Sequence, residues 1–395
     1  MPPQCTARST GPSLALTLAL GLGALSCTPA ARAETAATQA AIGLLGWNLV
    51  SPELAAVAAA SPLVWNGLIN SFTPFLTPYA SAMRTLALTP APTLHPSAQA
   101  PQALPAGSQP LANSYSQVIS FGDSMSDTGN MFKVTTDLTG WGLPMAPNQA
   151  GRFSNGPVVL EVMSNQLSRP LLNHAFGGGQ SGKGGLVPVY GLQIGLLKQV
   201  QDYTQNLGLF KLADARALYV LWTGPDDYYQ GSNIYLGSTT LAITANIRQA
   251  LTTLYQRGAR NFFVPMMPDL SITPSAREHE KYQANYLSNA KARSSELAAS
   301  VTAMLKDFAK QYPLAKVRTF DTYSYSQTQV AKAAAEGINV TDPCYDPPFM
   351  GLPGPVCAEP DKHLFWDMNH PTAAGAQVIG AAFAQAAVGA ALPSR

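Results

Sequence analysis

The sequence predicts an α/β fold with three layers, α/β/α, in which a doubly wound parallel sheet is preceded by an apolar N-terminal extension. After residue 113, short apolar runs alternate with longer stretches of helical periodicity, and polar motifs follow directly on two of the runs. Strands that alternate with helices favour parallel pairing and a helical layer on each face of the sheet.

Each predicted strand is an apolar run of five or six residues, and each predicted helix is a longer stretch with apolar residues at helical spacing. The predicted strands are Gln117–Phe121, Ala217–Trp222, Asn261–Pro265 and Lys316–Phe320. The predicted helices are Leu192–Asn206, Thr239–Gly258, Ser275–Tyr312 and Pro371–Val388. Pro371 suits the first position of the last helix, because the N–H that proline lacks is not needed there.

Residues 1–33 have the features of a secretory signal peptide. Arg8 precedes a run of Leu, Ala and Gly at 14–25, and Ala-Arg-Ala at 31–33 forms a small-x-small cleavage pattern. The run is shorter than the roughly 20 apolar residues of a membrane-spanning helix. Cys27 leaves a lipid anchor open, but the residues before it match a lipoprotein motif poorly. We therefore expect a secreted or periplasmic protein.

Residues 34–112 form an extension that is distinct in composition from the predicted α/β domain at 113–395. It contains only three formally charged residues. The segment 42–83 is apolar but interrupted by prolines, and 89–110 is a linker-like stretch of Pro, Ala, Ser and Gln. The segment 42–83 either covers an apolar patch of the main domain, closes over the substrate mouth, contacts a membrane peripherally or is a propiece.

Charge and cysteine content limit the partners and the compartment. The formal net charge is +2, and it falls to zero when Arg8 and Arg32 leave with the signal peptide. No cluster of Lys and Arg could follow a row of phosphates, so we expect no nucleic-acid partner. Cys344 and Cys357 flank a Pro- and Gly-rich loop and are interpreted as a disulfide, with zinc binding as the weaker alternative.

The segment Phe121–Asn130 is typical of a nucleophile turn. It directly follows a predicted strand, Gly122 permits a sharp bend, and Asp127 and Thr128 suit the first turn of a helix. Ser124 is then expected at the carboxyl end of the strand, where open α/β sheets bind ligands.

Asp367 and His370 form a second candidate site, directly before the last predicted helix. An aspartate three residues before a histidine can accept a hydrogen bond from Nδ1, which leaves Nε2 to take a hydroxyl proton.

A third segment, Asn173–Gly179, carries three consecutive glycines whose N–H groups could approach a developing oxyanion. In the fourth, Asp226 and Asp227 follow the strand that ends at Trp222, and they suit an acid/base pair, metal ligands or a structural turn.

Together these segments resemble the GDSL (SGNH) esterase/lipase family, and most of all its secreted bacterial phospholipase/acyltransferase-like and haemolysin-like branch. The resemblance covers roughly residues 115–388, and the matching segments occur in the family's order. These segments are Phe121–Asn130, Gly151–Gly156, Asn173–Gly179, Gly224–Asp227 and Asp367–His370. The resemblance implies a flavodoxin-like SGNH-hydrolase fold.

The resemblance also implies residue roles. Ser124 would be the nucleophile, His370 the general base and then acid, and Asp367 the residue that orients His370. The oxyanion hole would use the backbone N–H groups of Ser124 and Gly178.

Asp226 stands where the family has an oxyanion-hole asparagine, and an ionised carboxylate accepts hydrogen bonds but cannot donate them. Either Asp226 is buried and protonated, or another side chain such as Asn155 or Asn130 replaces it, or catalysis is weak.

The expected function is a secreted serine hydrolase of carboxylic esters, of the esterase, lipase or phospholipase type, that acts through an acyl-enzyme on Ser124. This chemistry requires no metal and no organic cofactor. The apolar extension favours a lipid substrate, and a small soluble or carbohydrate O-acyl ester is the alternative. An acyltransferase would use the same triad, and Asp226 also leaves open a non-catalytic binding protein. The oligomeric state is not predicted.

Overall fold

The structure is a computed structural model, which describes residues 109–140, 142–185, 192–229, 233–346 and 354–394. The signal peptide predicted at 1–33 and the apolar segment 42–83 lie outside the described residues. Within the described part of the chain, no helix combines the length and the apolar character needed to cross a membrane.

Five parallel strands form one sheet in the order β2-β1-β3-β4-β5. They are β1 Val118–Gly122, β2 Leu171–Asn173, β3 Leu218–Trp222, β4 Asn261–Pro265 and β5 Lys316–Phe320. Every residue of β1, β3 and β4 is buried, as expected for strands covered by helices on both faces. The strand order reverses between β1 and β3, and their carboxyl ends therefore border the crevice where doubly wound sheets bind ligands.

The α-helices of the described residues are α1 Gln109–Ser114, α2 Asn130–Thr139, α3 Val159–Gln166, α4 Leu196–Asn206, α5 Pro225–Tyr229, α6 Gly237–Gln256, α7 Pro274–Glu280, α8 Tyr286–Gln311, α9 Thr322–Ala335 and α10 Ala373–Ala387. Short 3₁₀ helices lie at Asn233–Tyr235, Leu270–Ile272 and Pro360–Lys362.

Two helical layers cover the sheet. On one face, helices α4, α6 and α8 bury their apolar residues against Ile119 and Phe121 of β1 and against Tyr219 of β3. On the other face, helices α1, α3 and α10 pack on Val118 and Val220. Neighbouring residues of one strand thus enter different cores, as the two-residue period of a strand requires. The predicted three-layer α/β/α fold with a doubly wound parallel sheet is confirmed.

Two of the predicted helices need correction. The helix expected over Ser275–Tyr312 is two helices, α7 and α8, because Asn285 takes a left-handed conformation with φ of 62° before α8 begins. Pro371 does not occupy the first helical position. Thr372 caps α10 by accepting a hydrogen bond from the Gly375 N–H, so the proline precedes the cap.

Candidate active site

The turn after β1 presents Ser124 at the carboxyl edge of the sheet. Gly122 is required at the end of the strand, because a Cβ there would lie 2.1 Å from the carbonyl oxygen of Trp222 in β3. The carbonyl oxygen of Asp123 then accepts hydrogen bonds from the N–H groups of Ser126 and Asp127, both at 3.0 Å. These contacts reverse the chain around Ser124, whose exposed fraction is 6%.

Asp127 caps helix α2 from outside it, instead of lying in its first turn as predicted. Its carboxylate accepts hydrogen bonds from the N–H groups of Gly129, Asn130 and Met131. It also accepts one from Gly177, at 2.8 Å, and so holds the glycine segment against the nucleophile turn. Burial raises the pKa of Asp127 to about 6, although these four hydrogen bonds oppose the shift.

His370 lies within hydrogen-bonding distance of both Ser124 and Asp367. The distance from His370 Nε2 to Ser124 Oγ is 2.7 Å, and both carboxylate oxygens of Asp367 lie 2.8 Å from His370 Nδ1. Asp367 Oδ1 also accepts the backbone N–H groups of Asn369 and His370, which fixes the turn between them. Such an arrangement can take the serine proton at Nε2 while the carboxylate stabilises the imidazolium.

The segment at 151–156 holds the His370 loop in place. The ring of Phe153 packs against the ring of His370 with centroids 5.2 Å apart. Ser154 Oγ donates to the carbonyl oxygen of Pro371, and Asn155 Oδ1 accepts the N–H of Ala373 at the start of α10. The loop that carries His370 is therefore positioned by contacts with a segment more than 200 residues earlier in the chain.

Backbone donors for an oxyanion are present beside Ser124. Gly178 has a left-handed φ of 76°, which glycine adopts without strain. Within the described part of the chain, neither the N–H of Gly178 nor that of Ser124 donates an intramolecular hydrogen bond. The N–H of Phe176 donates to the carbonyl oxygen of Gly122, and this contact brings the glycine segment to the end of β1.

Asp226 lies in the first turn of α5, at the end of the neighbouring strand β3. Its exposed fraction is 1%, and its Oδ2 atom accepts no hydrogen bond from the described residues. Burial, and then the negative charges of Asp123 and Asp227, raise the pKa of Asp226 well above its ordinary value. The shift favours the protonated carboxyl, which can donate a hydrogen bond where an ionised carboxylate cannot.

Asp123 is a buried acid that the sequence pattern did not single out. Burial raises its pKa to about 7, and it lies close enough to His370 for the two charges to interact. Burial also raises the pKa of Asp227 to about 6, although the N–H and the hydroxyl of Ser181 donate to its carboxylate. Three carboxyl groups thus share one desolvated region beside the nucleophile, which favours keeping a proton on at least one of them.

One of the two alternative amide donors, that of Asn130, is engaged elsewhere. The Asn130 amide nitrogen donates to the carbonyl oxygens of Asn173 and Ala175, at 3.1 and 2.9 Å, which uses both of its N–H groups. Asn155 Oδ1 accepts the N–H of Ala373, and this bond does not involve the amide nitrogen of Asn155. The burial of Asp226 beside two other carboxyl groups favours its protonated form over replacement by Asn130.

A cavity of about 270 Å³ opens beside the nucleophile. Ser124 and His370 line it together with Met125 and with one face each of helices α9 and α10. Helix α9 was not predicted from the sequence, and neither was its position over this cavity. Its only buried residue is Thr322, so its apolar content gave little signal.

Cys344 and Cys357 are joined in a disulfide, as expected. Since both sulfurs are bonded to each other, neither is free as a thiolate, and this excludes the zinc alternative for the oxidised protein. The disulfide loop supports the histidine turn: the N–H of Cys344 donates to Phe365, and Tyr345 stacks on Trp366, which precedes Asp367.

A family model described as GDSL-like Lipase/Acylhydrolase matches residues 118–383. The chain is 28% identical to the thermolabile hemolysin of Vibrio parahaemolyticus over 272 residues, which cover 65% of this chain and 60% of that protein. It is 30% identical to the phosphatidylcholine-sterol acyltransferase of Aeromonas hydrophila over 216 residues, or 52% of this chain and 58% of that protein. A GDSL esterase/lipase of Arabidopsis thaliana is 25% identical over 297 residues, which cover 65% of this chain and 85% of the plant protein. The chain spans about three fifths of the length of the two bacterial relatives.

Proposed function

The chain belongs to the GDSL-like lipase/acylhydrolase family, and from this premise we propose that it cleaves carboxylic esters through an acyl-enzyme formed on Ser124. The observation that carries the proposal is the 2.7 Å contact between His370 Nε2 and Ser124 Oγ, with Asp367 on the other ring nitrogen. A hydroxyl becomes a useful nucleophile when a base so placed takes its proton during attack.

The proposed reaction has two halves. In the first, Ser124 Oγ attacks the ester carbonyl while His370 takes the hydroxyl proton and then gives it to the departing alcohol. In the second, His370 takes a proton from water as the water oxygen attacks the acyl carbon. The bond from that carbon to Ser124 Oγ then breaks, His370 returns the proton to Oγ, and the carboxylic acid leaves. Asp367 stays ionised and stabilises the imidazolium in both halves.

Three donors would stabilise the negative oxygen of each tetrahedral intermediate. Two are the backbone N–H groups of Ser124 and Gly178, and the third is the protonated carboxyl of Asp226. The desolvation of Asp226 supports this role, because a carboxylic acid held neutral donates a hydrogen bond as an asparagine amide does.

Acyl transfer to an alcohol is the second candidate function. The 30% identity to an acyltransferase favours it, and the transfer would use the same three residues, with an acceptor alcohol in place of water. A non-catalytic binding protein is disfavoured, because a binding role gives no reason for the Ser124–His370–Asp367 geometry.

Secretion and lipid contact are parts of the proposal that rest on sequence. The signal peptide at 1–33 would take the protein out of the cytoplasm, and the disulfide of Cys344 and Cys357 suits an oxidising compartment. The apolar segment 42–83 would contact a lipid surface peripherally.

The test is the hydrolysis of p-nitrophenyl acetate and butyrate by the full-length protein. Ser124→Ala should lower kcat/KM by a factor on the order of 10⁴ or more. Ser126→Ala is the matched control, because Ser126 lies on the same turn, is fully buried and is not part of the triad. Equal activity of the two variants would refute the proposal. Addition of an alcohol acceptor to the same assay separates transfer from hydrolysis, because only transfer yields a new ester.

A further inference from the structure

The last residue of strand β1 extends beyond its pairing with β2. Among the described residues, β2 pairs with the first three residues of β1, up to Ser120. The carbonyl oxygens of Ser120 and Gly122 face this side of β1, because they accept the N–H groups of His174 and Phe176, which follow β2. The buried N–H of Gly122 needs an acceptor of its own, since leaving a buried backbone N–H unpaired is costly.

The side-chain amide of Gln199, on helix α4, takes the place of the missing strand. Its Oε1 accepts the N–H of Gly122 at 2.8 Å, and its Nε2 donates to the carbonyl oxygen of Gly122 at 2.7 Å. Nε2 also donates to the carbonyl oxygen of Ile194 at 2.6 Å. The orientation of the amide is fixed, because a reversed amide would point its NH₂ group at the N–H of Gly122. The side chain is 4% exposed, so water does not compete for these bonds.

The two carbonyl groups that Gln199 bridges also enclose Gly179. A Cβ on Gly179 would lie 3.0 Å from the carbonyl oxygen of Gly122 and 3.0 Å from that of Ile194. Gly179 directly follows Gly178, whose N–H is one of the proposed oxyanion donors. The spacing of the two carbonyl groups therefore positions the chain next to that donor.

We infer that Gln199 is a positioning residue, whose amide fixes the nucleophile turn relative to the backbone N–H of Gly178. The inference rests on the proposed function, since it concerns the alignment of Ser124 with the oxyanion donors. Gly122 lies two residues before Ser124, so a shift of Gly122 also moves the nucleophile. Gln199 does not line the cavity beside Ser124 and acts through these backbone segments.

The experiment measures kcat and KM for p-nitrophenyl butyrate with full-length Gln199→Met. Methionine is similar in length to glutamine but cannot donate to the two carbonyl groups. A misplacement of about 1 Å costs about a hundredfold in rate, and this is the expected loss in kcat. KM should stay at the wild-type value, because an interaction that acts only in the transition state is removed.

The amount of folded protein is measured separately from its reactivity. Labelling to completion with a fluorophosphonate counts the functional Ser124 sites, and kcat is expressed per labelled site. Gln205→Met is the matched control, because Gln205 is an exposed glutamine of the same helix. This variant should keep the wild-type kcat per labelled site.

Gln199→Glu tests the hydrogen bonds in a second way. An ionised glutamate would turn an acceptor toward two carbonyl oxygens, whereas a protonated one donates to one of them and still accepts the N–H of Gly122. The ratio of its kcat to that of the wild type should therefore rise as the pH falls. The corresponding ratio for Gln199→Met should not change with pH.

The possible failures are distinguishable. A wild-type kcat per labelled site in Gln199→Met would overturn the inference, and so would a loss confined to the number of labelled sites, which indicates a role in folding alone. A ratio for Gln199→Glu that is flat with pH would also overturn it. Each of these results leaves the proposed function standing, whereas absence of Ser124-dependent turnover in the wild-type protein would overturn the proposed function itself.

Discussion

The carboxyl group of Asp226 provides the sharpest mechanistic prediction, because its protonation decides whether the site has two oxyanion donors or three. Asp226→Asn keeps a donor of similar shape and cannot ionise. Asp226→Ala removes the donor. At a pH below the raised pKa of Asp226, where its carboxyl is protonated, the asparagine variant should retain kcat/KM close to that of the wild type.

The expected magnitudes follow from the donor count and the charge. Loss of one oxyanion-hole donor lowers the rate by about 10²–10³, and this is the expected deficit of Asp226→Ala. An ionised Asp226 would add repulsion. For two unit charges about 4 Å apart at an effective dielectric constant near 20, it amounts to roughly 4 kcal/mol, or about a thousandfold in rate.

The sign of the pH dependence follows from the direction of the shift. A carboxyl whose pKa is raised keeps its proton up to that higher pH and loses it above. Wild-type activity should therefore fall as the pH rises through the raised pKa of Asp226, while the asparagine variant keeps its plateau. The negative charges of Asp123 and Asp227 contribute to the raised pKa of Asp226, and both groups are present in the two proteins.

The assay is kcat/KM for p-nitrophenyl butyrate from pH 5 to pH 10, read at the isosbestic wavelength of the product. The ratio of Asp226→Asn to wild type should be near one at the acid end and should increase with pH. A ratio that stays flat, or an alanine variant as active as the wild type, would refute the role of the protonated carboxyl. Thermal unfolding of each variant at both pH limits shows whether the rates refer to folded protein.

Three further predictions concern stability. Replacing Cys344 and Cys357 by alanine opens a loop with a sequence separation of 13. This should lower the free energy of unfolding by about 3 kcal/mol and reduce kcat. An unchanged free energy in urea unfolding and an unchanged kcat in ester assays would contradict this. Burial lowers the pKa of His174 to about 4, so the folded state loses stability as the pH falls from about 6.5 toward 4. Between pH 7 and pH 5 the unfolding free energy of the wild type, measured in urea, should fall by about 2 kcal/mol more than that of His174→Phe, and equal losses would contradict this. Gly122→Ala should prevent folding or strongly lower the melting temperature, because the added Cβ would overlap the carbonyl oxygen of Trp222. A wild-type melting curve would show that β1 and β3 can move apart at this position.

Local signals allowed much of the fold and the triad to be predicted. The strands β4 and β5 have the predicted bounds; β4 is an apolar run, and β5 combines β-branched and aromatic residues with two basic ones. Ser124, Asp367 and His370 were predictable because each lies in a short segment whose residue types already imply proton transfer. The 2.7 Å contact between His370 and Ser124 joins positions 246 residues apart, and only the fold provides it.

Other features depend on tertiary structure and left little trace in the sequence. Strand β2 has three residues, and it is defined by pairing with β1 more than by its own pattern. The break before α8 occurs at Asn285, in a stretch without the glycine or proline that usually marks one. The raised pKa of Asp226 depends on burial and on the charge of Asp123, which follows β1 whereas Asp226 follows β3. Because the sequence does not show that these two residues are close, it left three explanations open.

The acyl-enzyme on Ser124 is the central claim, and covalent trapping tests it most directly. A fluorophosphonate ester that mimics the acyl substrate is incubated with the full-length protein, and the modified peptide is identified by mass spectrometry. We predict one adduct per chain, on Ser124, that is retained in Ser126→Ala and strongly slowed in His370→Ala. An adduct on another residue, or ester hydrolysis that survives in the Ser124→Ala protein, would contradict the account.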